Sequence, residues 1–251
     1  MKNIVLIGSG NVATHIGIAL KENGFNIIQV WSYNLKNAKI LAKKLNCLYT
    51  SNIKKILPAD LCILSIKDDL ISEILQELSD TPIIHTSGST SIEIFQPKFS
   101  KYGVVYPLQK FKKNIELNIN TTPLLVEANN KRFKNDLIKL ASKLSSNTLS
   151  ANSEMRKQLH IAAVFASNFT NYMLTISEKI LNKHNLDFKL LLPLVNETIN
   201  NLNKNTPSEL QTGPAKRNDK KIIKMHLESI EDNKAKEIYK LISNAIILEN
   251  E

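Results

Sequence analysis

A glycine-rich stretch near the start of the chain carries the clearest chemical signal in this sequence. From Gly8 the residues run GSGNVA, which fits the G-x-G-x-x-G/A pattern of loops that hold a dinucleotide pyrophosphate. The stretch follows the apolar run 3–8 and opens a helical segment over 11–22. In that context Gly8 allows a tight turn, Gly10 lets phosphates approach the backbone, and Ala13 lets the helix pack closely on the strand. We therefore predict that the loop binds a dinucleotide through Gly8, Ser9, Gly10, Asn11, Val12 and Ala13.

The end of the second predicted strand, 26–32, indicates which dinucleotide binds. NAD sites of this type place an Asp or Glu there, about 20 residues after the glycines, to bind the ribose 2′-hydroxyl. This sequence has no acidic residue between Glu22 and Asp60, and it places lysines at 36 and 39 instead. Hydroxyl, phenol and amide groups beside positive charge suit a 2′-phosphate. We predict NADP as the cofactor, bound at this end by Ser32, Tyr33 and Asn34.

Polar residues also end two further predicted strands, at the sheet edge where ligands of such folds bind. The residues SIKDD end one strand, and we expect Ser65 and Ile66 to contact the cofactor. The residues HTSGS end the next strand, and His85 and Ser87 are candidates to contact the nicotinamide ribose or a substrate carbonyl. Turn formation or helix capping would explain the same polar residues, so both interpretations stay open.

A long predicted helix carries polar residues within an apolar run. In LHIAAVFASNFTNYML, His160, Asn168 and Asn171 are spaced eight and three residues apart, which keeps them roughly on one helical face. Imidazole titrates near neutrality, so His160 is a candidate general acid and Asn168 a candidate for orienting the substrate. A polar seam at a dimer interface is the alternative.

Arg217 is a third candidate, in the loop TGPAKRND over 212–219. A glycine and a proline fix a tight loop there, and an arginine can hold a carboxylate or phosphate through two parallel hydrogen bonds. An exposed arginine at a helix start is the alternative.

The elements that must position these residues change character once along the chain. Up to about residue 150 strands alternate with helices, which predicts a parallel sheet covered on both faces. The predicted strands are 3–8, 26–32, 61–66, 82–87, 103–107, 123–128 and 147–150, and the predicted helices are 11–22, 35–45, 69–78 and 131–145.

Beyond residue 152 the pattern is helical only. We predict one long helix over 153–183, a second over 187–203 kinked or broken at Pro193, a helix that begins with a capping box from Thr206 to Glu209, and helices over 220–229 and 232–249. The fold class is therefore α/β: a Rossmann-type, mostly parallel sheet over 1–150 that binds NADP, followed by an all-α domain over 151–251.

Composition narrows the function classes. The 251 residues are 43% hydrophobic, and no apolar run approaches the roughly 20 residues that span a bilayer. The net charge of +10 comes from dispersed lysines, and aromatics are only 6%, so we expect neither a nucleic-acid nor a membrane partner. Cys47 and Cys62 lack metal-ligand spacing, which favours two reduced thiols in a cytoplasmic protein without a leader.

Taken in order, the motifs IGSGNVATHI, HTSGS, YPLQKF, LHIAAVFASNF and TGPAKRND resemble a group of bacterial two-domain proteins. These proteins combine a Rossmann-like domain with a helical domain of unknown function. They are provisionally assigned as NADP oxidoreductases, related to deazaflavin-dependent ones, pyrroline-5-carboxylate reductases and β-hydroxyacid dehydrogenases of the 6-phosphogluconate dehydrogenase type. The resemblance implies a homodimer in which the helical domain completes the substrate site.

One departure limits this resemblance. The β-hydroxyacid dehydrogenases carry a lysine, with an asparagine one turn later, where this chain has His160 and Val164. Their mechanism therefore does not carry over residue by residue.

The leading hypothesis is an NADP-dependent oxidoreductase that moves a hydride to or from a small carbonyl, imine or hydroxy compound. His160 would exchange the proton, Arg217 would hold an anionic group, and the substrate would be oriented by His85, Ser87 and Asn168. A regulatory or scaffold protein that binds NADP without turnover is the alternative, and the sequence does not discriminate a deazaflavin or flavin partner enzyme.

Overall fold

The computed structural model describes residues 1–113, 115 and 117–250. The chain divides into two compact units, Met1–Asn168 and Phe169–Glu251. In the described part of the chain the final strand ends at Ser150, and only helices and loops follow. The predicted domain boundary near residue 150 stays a prediction.

The first unit contains an eight-stranded sheet in the order β3-β2-β1-β4-β5-β6-β7-β8. Neighbouring strands are parallel except β6 and β7, which are antiparallel. This confirms the predicted Rossmann-type, mostly parallel sheet. The strands are β1 (Asn3–Ile7), β2 (Asn26–Trp31), β3 (Leu48–Thr50), β4 (Leu61–Leu64), β5 (Ile83–His85), β6 (Tyr102–Pro107), β7 (Leu124–Ala128) and β8 (Thr148–Ser150).

Helices cover both faces of this sheet, as the alternation of strands and helices predicts. In β1, Ile4 and Leu6 join the core beneath α1, α2 and α4, whereas Val5 and Ile7 join the core beneath α3. Successive side chains of a strand point to opposite faces, so one apolar strand serves two cores. The helices of this unit are α1 (Asn11–Glu22), α2 (Leu35–Leu45), α3 (Ile71–Glu77), α4 (Lys131–Leu144) and α5 (Ser153–Ala163).

Strand β3 was not predicted from the sequence. It contains three residues and its side chains are largely exposed, so the two-residue periodicity that marks a strand has no length over which to show. Its place is set by pairing with β2.

The predicted helix over 153–183 is confirmed in extent. It runs as α5, a π-helical segment over Val164–Phe169, and α6 (Thr170–Asn182). A π segment is an irregularity that hydrophobic spacing does not reveal, because it adds one residue to a turn. The remaining helices of the second unit are α7 (Leu192–Asn201), α8 (Lys220–Ser229) and α9 (Asn233–Leu248).

The predicted helix over 187–203 is broken near Pro193, as predicted: a 3-10 helix over Phe188–Leu191 precedes α7. Pro193 lies in the first turn of α7, where its missing N–H costs nothing. One other helix prediction in the second unit needs correction. Half of the Thr206–Glu209 capping box forms: the Glu209 carboxylate accepts from the Thr206 backbone N–H at 2.8 Å and from its hydroxyl at 2.7 Å. Only turns follow Thr206, because the five residues over 207–211 are too few to propagate a helix.

Candidate active site

A cavity of about 550 Å³ lies at the carboxyl ends of β1, β2, β4, β5 and β6. The residues that line it come from the first unit, from Gly8 near the start of the chain to His160 in α5. Ligands of open parallel sheets bind at this edge because the turns after neighbouring strands converge there.

The glycine loop has the shape that its spacing predicts. Gly8 has φ +125°, and a Cβ built on it would lie 2.2 Å from the carbonyl oxygen of Ser65, so only glycine fits. A Cβ built on Gly10 meets nothing within 4 Å, because that side of the loop opens into the cavity. No side chain caps α1 at Gly10, so its first N–H groups are free to bind an anion. Ala13 is fully buried where α1 approaches the sheet.

Two other residues of the loop are engaged in ways that the motif does not specify. The Ser9 hydroxyl donates to the Ser32 hydroxyl at 2.8 Å. The Asn11 side-chain amide donates to the carbonyl oxygen of Phe111 at 2.9 Å, and His15, one turn later, contacts the carbonyl oxygen of Lys112 at 2.9 Å. Val12 also lines the cavity.

At the end of β2, Ser32 and Tyr33 line the cavity. Ser32 accepts from Ser9, so its own hydroxyl hydrogen remains available to a ligand. The Tyr33 hydroxyl donates to the Glu73 carboxylate at 2.8 Å, and this hydrogen bond raises the pKa of Tyr33. Asn34 uses its side-chain oxygen to cap α2, which leaves its NH₂ group as a donor.

The turn after β4 and the turn after β5 meet at Asp68. Its carboxylate accepts from the hydroxyls of Ser87 and Ser89 at 2.6 and 2.7 Å. Burial opposes ionisation of Asp68, but these hydrogen bonds outweigh it and hold its pKa below the usual range. The predicted cofactor contacts Ser65 and Ile66 line the same part of the cavity. Ser87 therefore reaches the cavity with its hydroxyl already donated to a carboxylate.

His85 is not among the residues that line the cavity. Its ring is fully buried, stacks on Phe95 with centroids 5.5 Å apart, and accepts the backbone N–H of Ser87 at Nδ1. Burial, with a smaller contribution from the Arg156 charge, lowers its pKa to about 3. The structure therefore contradicts the expectation that His85 contacts substrate. This last residue of β5 points into the core, and its Nδ1 holds the backbone of the HTSGS turn through Ser87.

His160 lies beside Tyr106 at the cavity. Nδ1 of His160 is 2.9 Å from the Tyr106 hydroxyl, and the rings meet edge to face at 76°. Gly88 leaves room for this pair, because a Cβ there would lie 2.7 Å from Nδ1 of His160 and 2.8 Å from Cζ of Tyr106. Three segments that are remote in sequence thus meet at one point: the HTSGS turn, the end of β6 and α5.

A buried ion pair beneath this point was missed by sequence reasoning. The Arg156 guanidinium, with a side chain only 1% exposed, pairs with the Glu127 carboxylate of β7 and donates to the carbonyl oxygen of Thr90. Glu127 also accepts from the backbone N–H and hydroxyl of Ser153. Arg156 precedes His160 by one helical turn, so this network fixes α5 against the sheet and the turn that surrounds Gly88. No signal in the sequence points to this pair, because charged residues usually lie on the surface.

Two predicted residues are not among those that line the cavity. Asn168 is exposed in the π-helical segment, and Arg217 is exposed in the turn between Gly213 and Asp219 of the second unit. Their roles toward a substrate stay predictions. Asp219 caps α8, accepting from the N–H of Ile222.

Comparison with known proteins agrees with this geometry. Residues 122–246 match the model of a domain of unknown function, DUF2520. The solved structure of a "putative NADP oxidoreductase" from Bacteroides fragilis is 38% identical, covers 98% of both chains and has a TM-score of 0.93. None of the curated proteins matches this chain.

Two more distant structures share the fold. A pyrroline-5-carboxylate reductase from Streptococcus pyogenes is 17% identical, with 99% of this chain and 97% of that chain covered and a TM-score of 0.64. A reductive aminase from Aspergillus terreus, solved with NADPH and ethyl levulinate, is 11% identical, with 81% and 74% covered and a TM-score of 0.63. The Bacteroides fragilis relative supports an oxidoreductase that uses NADP, and the two distant structures show the shared fold alone.

Proposed function

This chain belongs to the family that the Bacteroides fragilis NADP oxidoreductase-like structure represents, and from that premise we propose that it is an NADP-dependent oxidoreductase acting on a small carbonyl, imine or hydroxy compound. One observation carries the proposal: the glycine loop and the His160–Tyr106 pair line the same cavity. A dinucleotide loop and a proton-exchanging side chain are the two parts that a hydride-transfer site requires.

NADPH would supply the hydride, or NADP⁺ would accept it, and the first turn of α1 would hold the cofactor's pyrophosphate. The residues present fit this group, since Gly10 leaves the approach to that turn open and no side chain occupies its N–H groups. The 2′-phosphate would lie at the start of α2, near the Ser32 hydroxyl, the Asn34 amide and the exposed Lys36 and Lys39. Positive charge and free donors at a helix start favour an anion.

His160 would give or take the proton of the reacting group. Ser87 is retained as a proposed contact with substrate or ribose; its Oγ donates to Asp68 and accepts the backbone N–H groups of Ser89 and Thr90, so a ligand atom would replace one of these hydrogen bonds. We retain Asn168 and Arg217 as proposed substrate contacts, the arginine for an anionic group. A protein that binds NADP without turnover is not favoured, because the relatives are oxidoreductases.

Titration with NADPH and NADH, followed by fluorescence, tests the cofactor. Gly10→Ala should weaken NADPH binding at least tenfold with unchanged folding, because its Cβ meets open space that the pyrophosphate would fill. Lys36→Ala combined with Lys39→Ala should weaken NADPH more than NADH. The matched control is Lys43→Ala with Lys44→Ala, since these lysines lie at the other end of α2. Tighter binding of NADH than of NADPH by the unmodified protein would overturn the NADP assignment.

Oxidation of NADPH in the presence of small ketoacids, cyclic imines and keto esters, and reduction of NADP⁺ with hydroxyacids, test the reaction. We expect turnover with at least one compound and its loss in His160→Gln. Tight NADPH binding without turnover across the panel would support the non-catalytic alternative.

We also propose a cytoplasmic homodimer. Apolar side chains of the second unit are unusually exposed, including Leu190, Leu194, Leu241 and Leu248 at 64%, 63%, 72% and 71%, and such surfaces mark association sites. Both cysteines are free, as is usual for a reducing compartment. No helix in the described part of the chain is long and apolar enough to cross a membrane. Light scattering on the eluting protein should give twice the chain mass of 28.3 kDa.

A further inference from the structure

We propose that Tyr106 is a positioning residue that holds the neutral His160 ring in one tautomer, with the proton on Nε2 and Nδ1 as an acceptor. The inference rests on the proposed function of His160 as the proton-exchanging residue. It identifies Nε2 as the nitrogen that exchanges the proton and Tyr106 as the side chain that determines this.

The contact geometry selects the nitrogen. The Tyr106 hydroxyl lies 2.9 Å from Nδ1, within hydrogen-bond distance. Gly88 confines the pair from the third side, since even a methyl group there would come within 2.8 Å of both rings. Nδ1 is therefore committed to Tyr106, and Nε2 is the nitrogen left for a substrate.

The direction of this hydrogen bond follows from the chemistry of the phenol. Tyr106 is 8% exposed, and burial raises its pKa, with the Arg156 charge opposing in part. The phenol is thus protonated at neutral pH, and its O–H needs an acceptor in a place with little access to water. Nδ1 satisfies that need only when it carries no proton. A neutral imidazole carries one proton, so the proton lies on Nε2.

The Arg156 network maintains this arrangement. Arg156 and His160 are one turn apart on α5, and Arg156 binds both Glu127 of β7 and the carbonyl oxygen of Thr90. Thr90 ends the turn that contains Gly88. The helix that carries the imidazole and the turn that confines it are therefore fixed to one guanidinium, which preorganises the pair before a ligand binds.

Nitrogen-15 NMR of the full chain tests the tautomer directly, because protonated and unprotonated ring nitrogens have well-separated shifts. The chain has five histidines, and His160→Gln identifies the signals of His160. We expect a donor-type shift at Nε2 and an acceptor-type shift at Nδ1. In Tyr106→Phe the two shifts should move toward each other as the tautomers mix. A wild-type ring with its proton on Nδ1, or a Tyr106→Phe ring with unchanged shifts, would overturn the proposal.

Tyr102→Phe is the matched control, since Tyr102 is a buried phenol on the same strand whose hydroxyl accepts from Gln96. It should leave the His160 shifts unchanged; a change as large as that of Tyr106→Phe would count against a specific role. If Tyr106→Phe does not fold, Gly88→Ala separates the pair while keeping the phenol and should mix the tautomers in the same way.

Kinetics supply the second measurement. With any compound that the panel shows to be reduced, Tyr106→Phe should lower kcat on the order of tenfold, less than the roughly 10²–10⁴-fold that the acid–base residue itself contributes, and leave KM for NADPH unchanged. The two proposals fail separately. Failure of NADPH binding overturns the proposed function and leaves the tautomer assignment intact, whereas turnover with the opposite tautomer overturns only the role of Tyr106.

Discussion

Each compact unit contains a histidine paired with a tyrosine, and the two pairs have almost the same geometry. His160 and Tyr106 are 2.9 Å apart with rings at 76°, and His226 and Tyr239 are 2.8 Å apart with rings at 79°. Their surroundings differ. The first pair lies beside Gly88 at the cavity, whereas the second joins α8 to α9 with both side chains half-buried. A histidine–tyrosine contact is thus a common packing device, and its place at the carboxyl edge of the sheet distinguishes the candidate site.

The largest expected difference between the pairs is in turnover. His160→Gln should lower kcat by roughly 10²–10⁴-fold, because it removes the proposed acid. His226→Gln should keep kcat within about twofold of wild type. It removes only one half-buried hydrogen bond, which contributes about 1 kcal/mol to stability. The steady-state decrease in NADPH absorbance measures kcat for both variants. Equal losses in the two variants would mean that the cavity does not separate the pairs.

The two units also differ in the burial of their ion pairs. Arg156→Met should destabilise the protein by about 3–5 kcal/mol, because it leaves the Glu127 carboxylate without its partner in a largely buried place. In the second unit, Lys183 and Glu231 form an exposed pair, with side chains 51% and 77% exposed, and Lys183→Met should change the unfolding free energy little. Urea unfolding compares the two.

A double variant decides whether the loss in Arg156→Met reflects an uncompensated charge. Arg156→Met combined with Glu127→Gln should recover a large part of the lost free energy. No recovery would indicate that packing of the arginine, and not its charge, stabilises α5.

A third histidine, His85, extends the comparison to the pH dependence of the unfolding free energy. His85 has a pKa of about 3 in the folded chain against 6.5 for the unfolded group. As the pH falls, the unfolded chain therefore binds this proton at a higher pH than the folded chain does. Its contribution to stability is complete above pH 6.5 and declines as pH falls toward 3, by about 2 kcal/mol between pH 6.5 and 5. Unfolding free energies at several pH values should therefore fall less steeply in His85→Gln than in wild type. Parallel curves for wild type and His85→Gln would contradict the assignment.

The smallest difference concerns the two phenols. Tyr106→Phe should cost about 1–3 kcal/mol of stability, because it removes the hydrogen bond between a buried phenol and Nδ1 of His160. Tyr239→Phe should cost less, about 0.5–1 kcal/mol, since Tyr239 is half-buried. Thermal unfolding monitored by circular dichroism ranks them. A larger loss in Tyr239→Phe would reverse the comparison.

Sequence reasoning succeeded where the signal is local. The turn at Gly8 and the helix start at Asn11 depend on neighbouring residues, so the motif and its context were enough. His160 was singled out because a polar residue within an apolar helical run needs a partner; the structure pairs it with Tyr106, and its catalytic role stays a prediction. The sheet as a whole followed from the alternation of apolar strands with amphipathic helices.

Sequence reasoning failed where distant segments decide the outcome. His85 ends a strand beside residues that do face the cavity, and only the packing of Phe95 against it shows that its ring points inward. Arg156 and Glu127 are charged residues of the kind that usually lie on the surface; their pairing depends on α5 docking on β7. No spacing within either segment encodes that contact.

The hydrogen bonds that fasten the YPLQKF segment to α1 have a consequence for how the protein can change. Asn11 and His15 contact backbone carbonyl oxygens at Phe111 and Lys112, and every amino acid has such an oxygen. The attachment is therefore indifferent to the side chain at position 112. Selection or design could therefore exchange that side chain without detaching the segment.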